Sequence, residues 1–160
     1  MTLDGKTRQR LQFLARVIRK ECRHLETTDG RLFAQPFTVE RARSLETDAD
    51  LAERVEAFVG RFGRLQDAVG DKLLPALLAA LGERPGAVMD NLDRAERLAL
   101  LTSAEEWLVM RALRNQMVHE YVEDVAVLAG ALAAGHGFVS ALTGTADRML
   151  AEIERRGWVS

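Results

Sequence analysis

The sequence predicts an all-α protein, an antiparallel, up-and-down bundle of four to five helices forming a single domain over residues 1–160. Apolar residues recur at spacings of three and four along most of the chain, as on the buried face of a helix. Only three prolines occur, and alternation with a period of two is confined to short fragments. The chain is 48% hydrophobic, which is enough for one core without disulfides.

The first helix is predicted from about Asp4 to Leu25, where one apolar stripe consists of Leu11, Leu14, Ile18, Cys22 and Leu25. Residues 27–30, Thr-Thr-Asp-Gly, form a turn signal that is expected to end it. Residues 31–37 leave a short extended piece and a packed loop as alternatives, and a helical turn is expected within 38–44. The pattern does not show the role of residues 27–46.

The second helix is predicted to open at Thr47, because Asp48 and Asp50 place negative charge in its first turn. Its apolar stripe continues to Leu74, and Pro75 is expected to break or kink the helix. Residues 76–81 continue it, and Gly82 ends it.

Three further patterns complete the bundle. A short helix is predicted from Asn91 to Leu101, and Ser103 with Glu106 forms a capping box for the next helix. The last helix is predicted from about residues 123–124 to 155–157, where bases precede a glycine. Its small residues at 130–137 predict close helix packing, with a weak, bent helix as the alternative because each Gly costs about 1 kcal/mol relative to Ala.

Charge and cysteine content limit the function classes. The net charge is −2 and the pI about 6, so nucleic-acid contact has to come from a small local patch or from a partner. Cys22 is the one cysteine, which fits a reducing cytoplasm. The amino terminus has no apolar signal core. No stretch is expected to reach the roughly 18 uncharged apolar residues of a membrane span, since 126–134 is too short.

The segment Arg114-Asn-Gln-Met-Val-His119-Glu-Tyr121 is the most unusual part of the chain. It places a guanidinium, a carboxamide, an imidazole, a carboxylate and a phenol within eight residues. Arg matches phosphate with a planar set of donors, and His exchanges protons near neutral pH. Together they suit phosphodiester cleavage without a metal. RNA is the natural substrate because its 2′-OH is an internal nucleophile.

The spacing within this segment poses a geometric problem. On an ideal helix Arg114 and Tyr121 lie about 20° apart, but His119 lies about 140° from Arg114. Three solutions remain open: the helix ends or distorts near Val118, the long Arg114 side chain swings round, or a second copy brings its own segment opposite. The acids Glu120, Glu123 and Asp124 favour a helix end nearby.

Arg114-x4-His119-x-Tyr121, with Asn115 directly after the arginine, resembles the signature of the HEPN superfamily. The resemblance is greatest to HepT-type toxins, which pair with a minimal nucleotidyltransferase antitoxin. It implies a cytoplasmic, cofactor-free and metal-independent endoribonuclease toxin that forms a homodimer. Arg114 and His119 would be catalytic, Asn115 and Glu120 supporting, and Tyr121 the residue modified with AMP. The alternative is a non-catalytic helical module that binds a nucleotide or a nucleotidyltransferase.

A second polar group lies on the second helix, where Arg64, Asp67 and Asp71 follow at spacings of three and four. One interpretation places Asp67 and Asp71 beside the proposed site, orienting Arg114 or His119. The other is a solvated face with ion pairs between residues four apart, each worth about 0.2–0.5 kcal/mol. No Cys/His spacing suits zinc, and two aspartates alone are a weak indication of magnesium.

Overall fold

The computed structural model describes residues 3–119 and 124–159, and these residues form helices with no strand among them. The helices are α1 (Gly5–Leu32), α2 (Val39–Arg43), α3 (Ala49–Asp67), α4 (Leu74–Ala80), α5 (Val88–Arg97), α6 (Ala104–His119) and α7 (Val125–Arg155). A 3-10 turn at Ser44–Glu46 precedes α3, and a π-helical segment at Ala68–Leu73 joins α3 to α4. The predicted all-helical class and bundle character are confirmed, but the described residues form seven α-helices instead of the four to five expected, because short helices occupy stretches expected to be loops or parts of longer helices.

The core lies between the three longest helices. α1 packs along α3 and α7, and α6 packs against both α3 and α7. The largest fully buried side chains include Trp107, Phe58 and Phe62. Cys22 is buried here, and desolvation together with the negative charge of Asp147 raises the pKa of its thiol to about 12. Burial therefore keeps this cysteine in the unreactive thiol form.

α1 is longer than predicted, because the turn signal at residues 27–30 does not end it. Thr28 and Leu32 are buried and extend the apolar stripe by two turns. Arg61 of α3 donates to the His24 carbonyl at 3.1 Å and to the Thr28 hydroxyl. Contacts from a helix distant in sequence thus override the local turn signal.

The stretch that follows contains the expected helical turn. The Thr38 hydroxyl accepts from the Arg41 backbone N–H at 3.2 Å and caps α2. The Arg41 side chain donates to the carbonyls of Leu32 and Gln35, at 2.7 and 2.9 Å, and so ties this loop to the end of α1. α3 is capped by Asp48 rather than Thr47, since the Asp48 carboxylate accepts from the N–H of residue 51 at 3.0 Å.

The expected break at Pro75 does not occur. The helix widens over Ala68–Leu73, with the Leu74 N–H bonded to the Val69 carbonyl, and continues through Pro75 as α4. The π-helical turn ends just before Pro75. The helix can therefore continue into α4 without the backbone N–H that proline lacks. A Cβ at Gly70 in this turn would lie 2.9 Å from Trp107 Cζ2, so the Trp107 ring needs the glycine to pack there.

Cap positions predict the helix ends with mixed success. The Ser103 hydroxyl accepts from the Glu106 N–H at 3.1 Å, as predicted. Asp124 caps α7 and Gly157, with φ of 72°, follows its end, also as predicted. α5 spans Val88–Arg97 instead of 91–101, because the backbone leaves the helix at Ala99, which has φ of 60°.

Small residues of α7 allow close packing at one position. A Cβ at Gly135 would lie 3.2 Å from Met117 Sδ and 3.3 Å from Phe58 Cε1. Gly130 and Gly137 have open space around them. Among the glycines of this stretch, Gly135 makes the predicted close helix contact, at the point where α3, α6 and α7 meet.

The expectation that no apolar stretch is long enough for a membrane span is wrong. Residues 125–146 contain no Asp, Glu, Lys or Arg, and α7 has the length and composition of a spanning helix, with a mean hydropathy of 1.8 over its most apolar window. In this structure α7 packs against α1, α2 and α6. A helix packed in a protein core can have the same length and apolar composition as a membrane-spanning helix, so these two features alone do not distinguish them.

Replacing Gly70 with Ala tests the contact between the π-helical turn and Trp107. We expect Gly70→Ala to lower the free energy of unfolding by about 1–3 kcal/mol, because the new methyl overlaps the indole. The control, Gly130→Ala, adds a methyl to open space on a helix and should stabilise by up to about 1 kcal/mol. Urea unfolding measures both, and equal effects would contradict the packing described.

Candidate functional site

Arg114 lies on the side of α6 that faces α3. Its guanidinium donates from Nη1 to Asp67 Oδ1, on the last turn of α3. The two side chains are 28% and 39% exposed, so the pair lies at the edge of the bundle, within reach of solvent. An arginine held in this way keeps donors available for a ligand at the surface.

Gly63 makes this position of Arg114 possible. A Cβ there would lie 2.8 Å from Arg114 Nε and 3.3 Å from its Cζ. The guanidinium therefore lies directly against the backbone of α3, one turn before Asp67. A backbone surface on one side and a carboxylate on the other restrict an otherwise flexible side chain.

A second pair repeats the contact one turn away. Arg111 Nη1 lies 3.5 Å from Asp71 Oδ1, with side chains 40% and 42% exposed. Asp71, the later of the two aspartates, pairs with Arg111, the earlier of the two arginines. This reversed order is expected when neighbouring helices run antiparallel. Arg111 was not predicted as a site residue. It lies three residues before Arg114, and Asp67 and Asp71 lie four apart, so each pair of like residues is separated by about one helical turn.

The second polar group does not form ion pairs within its own helix, so that interpretation is wrong for Asp67 and Asp71. Both aspartates pair with arginines of α6. Arg64 does not join them. It points towards α1, where its Nε lies 3.7 Å from Glu21 Oε1, and it is 62% exposed. Because both carboxylates face arginines, the geometry gives the magnesium alternative no support.

His119 and Asn115 are exposed on α6, turned away from the Arg114 contact. Within residues 3–119 and 124–159, no hydrogen bond or ion pair joins either side chain to Arg114. The 140° offset predicted for an ideal helix remains, because α6 is helical up to His119. Glu120 and Tyr121, the other predicted members of the site, lie outside the described residues.

Gln66, directly before Asp67, was missed by sequence reasoning. It is only 3% exposed, and neither Oε1 nor Nε2 has a hydrogen-bond partner in the part of the chain that the structure describes. A buried amide without partners costs about 1–3 kcal/mol. Nothing in the local sequence distinguishes Gln66 from the exposed polar residues of α3.

The α3–α6 contact has a balanced charge. Two arginines face two aspartates, and among the described residues no group of three His, Cys, Asp or Glu side chains could hold a metal. The contact can fix a guanidinium beside a surface but does not concentrate positive charge. Any attraction for a polyanion has to come from another part of the molecule.

A double-mutant cycle tests whether Asp67 holds Arg114. We expect a coupling energy of about 0.5–1 kcal/mol between Asp67→Ala and Arg114→Ala, the upper range for partly exposed pairs. The longer Asp71–Arg111 pair is the matched control and should couple by less than about 0.3 kcal/mol. Chemical denaturation gives all the values, and additive effects at Asp67 and Arg114 would contradict the pairing.

Comparison with known proteins found no match among protein-family models, curated proteins or solved structures. The resemblance to HEPN proteins therefore depends on the residues of the 114–121 segment and on the helical fold.

Proposed function

We propose that this protein is a HEPN-type, metal-independent endoribonuclease toxin. It acts in the cytoplasm as a homodimer and is countered by a minimal nucleotidyltransferase antitoxin. The observation that carries the proposal is the position of Arg114, restrained by Asp67 over Gly63 at a partly exposed edge. His119 follows on the same helix, exposed and at the spacing of the Arg-x4-His signature.

The chemistry assigns one role to each side chain. His119 accepts the proton of a ribose 2′-OH, whose oxygen attacks the adjacent phosphorus while the bond to the 5′ oxygen breaks. Arg114 stabilises the negative charge that develops on the non-bridging oxygens. The leaving 5′ oxygen takes up a proton from water while His119 keeps the proton of the 2′-OH, so the products are a 2′,3′-cyclic phosphate and a 5′-hydroxyl.

A homodimer solves the angular problem. Within one chain Arg114 points to α3 while His119 faces solvent, so a second copy is the simplest way to complete a pocket. α6 also carries an exposed stripe beside His119, which consists of Val109, Ala112 and Gln116. Val109 is 50% exposed, so this stripe is accessible to a second copy.

The alternative function is a non-catalytic module that binds a nucleotide or a nucleotidyltransferase. The ion pair with Asp67 favours it, because a neutralised Arg114 stabilises a transition state less well than a free one. The two functions differ in one requirement: the ribonuclease needs His119 to cleave RNA, whereas the binding module cleaves no RNA.

Two substitutions test catalysis. We expect His119→Ala and Arg114→Ala each to lower the rate of RNA cleavage by about 100-fold or more, the usual contribution of a general base or a charge-stabilising donor. Cleavage of a fluorescent RNA is measured, with cyclic-phosphate ends identified by mass spectrometry. Arg97→Ala, at an exposed position of α5, is the control and should cleave like the wild type.

The binding module remains if the wild type cleaves no RNA and the variants behave like it. An RNase is retained but its assigned residues are wrong if the wild type cleaves and both variants keep its rate. Growth arrest on expression, relieved by either substitution, is the expected cellular counterpart.

Modification of Tyr121 tests the regulatory part of the proposal. Co-expression with the cognate nucleotidyltransferase should add one or more AMP units to Tyr121, which lies close to His119 in sequence and would block the pocket. Intact mass and peptide mapping measure the addition. Tyr121→Phe should remain unmodified and active, and equal modification of this variant would show that the assignment is wrong.

A further inference from the structure

α1 differs from the rest of the chain in its charge. It contains eight Lys and Arg residues and three Asp and Glu residues, against 14 and 21 in the remainder. A strongly basic helix in a protein with a net charge of −2 is a local concentration of charge. The outward side of α1 therefore carries a field opposite in sign to that of the rest of the molecule.

The acids of α1 do not neutralise this side. Glu21 lies 3.7 Å from Arg64 of α3, and Asp29 lies 2.7 Å from the His136 imidazole. Glu26 lies three residues after Arg23, about 60° from it on an ideal helix, and forms no ion pair with it among the described residues. Arg19 pairs with Glu154 of α7 at the border.

We name the remaining outward residues the α1 basic face: Phe13, Arg16, Val17, Lys20 and Arg23. They line a shallow groove of about 370 Å³ together with Arg19. Arg16, Lys20 and Arg23 are exposed and have no ion-pair partner among the described residues. Phe13 is 49% exposed in their midst, with nothing of the described chain covering it.

An exposed aromatic ring among unpaired cations suits a strand of nucleic acid with accessible bases. Cations contact the phosphates, and a base stacks on the ring. Two apolar residues are too few to enter a bilayer, whereas interfacial helices present a whole apolar face. A purely acidic peptide would use the cations and leave Phe13 without a role.

We infer that the α1 basic face binds single-stranded RNA, with phosphates on Arg16, Lys20 and Arg23 and a base stacked on Phe13. This inference deepens the proposed ribonuclease function and rests on it for the identity of the ligand. The face supplies the attraction for RNA that the charge-balanced α3–α6 contact lacks.

The spacing along α1 fits a strand running along the helix. Arg16 to Lys20 and Lys20 to Arg23 correspond to about 6 and 4.5 Å along the axis. α3 and α7 each contact both α1 and α6, so α1 and α6 lie across the bundle from each other, and the exposed Arg64 of α3 is next to α1. Interhelical spacings of about 8–10 Å put Arg114 on the order of 15–20 Å from α1, roughly five to six stacked nucleotides.

The test uses a fluorescent 2′-O-methyl oligonucleotide of about 12 nucleotides, which spans this distance and cannot be cleaved through its 2′ position. Fluorescence anisotropy gives its affinity for the full-length protein at several salt concentrations. The triple variant Arg16→Gln, Lys20→Gln, Arg23→Gln removes the charge of the face. The matched control, Arg43→Gln, Arg84→Gln, Arg97→Gln, removes the same charge from exposed positions elsewhere.

We expect the triple variant to bind at least ten-fold more weakly at about 0.1 M salt, with the slope of log affinity against log salt reduced by about 2. The control should stay within about three-fold of the wild type. Phe13→Ala should weaken binding about five-fold or more without changing the slope. Equal losses in the triple variant and the control would overturn the inference.

Two further measurements distinguish RNA from other ligands, and binding by the α1 basic face from the proposed ribonuclease activity. If vesicles of phosphatidylserine and phosphatidylcholine in equal parts, or polyglutamate, bind as tightly as the oligonucleotide and Phe13→Ala has no effect, RNA is the wrong ligand. His119→Ala should abolish cleavage while weakening oligonucleotide binding less than the triple variant does, which supports the face independently of catalysis. A wild type that binds through this face but cleaves no RNA refutes only the ribonuclease.

Discussion

The ion pair between Arg114 and Asp67 is the contact on which the candidate site depends. It joins α6 to the last turn of α3, and the missing side chain of Gly63 lets the guanidinium lie against the α3 backbone. A pair this exposed contributes only about 0.2–1 kcal/mol to stability. Its main consequence is positional, because it orders a side chain that otherwise carries about 2 kcal/mol of rotamer entropy.

Under the proposed function, the reactive groups and the attraction for RNA lie on separate surfaces of this molecule. The α3–α6 contact matches two arginines with two aspartates, while α1 concentrates cations around Phe13. A low net charge and a local affinity for a polyanion are compatible when one helix carries the excess. Such a division would suit the proposed toxin, since the chemistry and its access to RNA could be controlled at different surfaces.

The sequence predicted elements with strong local signals, such as the Ser103 cap and the start of α7 at Asp124. It failed where distant contacts decide, because Arg61 of α3 stabilises Thr28 and carries α1 past its turn signal. The residues of the polar segment were recognisable from their types and spacing. The contact of Asp67 with Arg114 was one of two interpretations of the sequence, and choosing between them requires knowing that α3 and α6 are antiparallel neighbours.

The proposed function requires Arg114 and His119 to border one pocket that holds a phosphate. A crystal structure of the protein with an uncleavable RNA dinucleotide, combined with its mass in solution, tests this arrangement. We expect a dimer in which one phosphate lies within hydrogen-bond distance, about 3 Å, of an Arg114 and a His119. A monomer with the two side chains on separate surfaces, or a phosphate bound away from both, would contradict it.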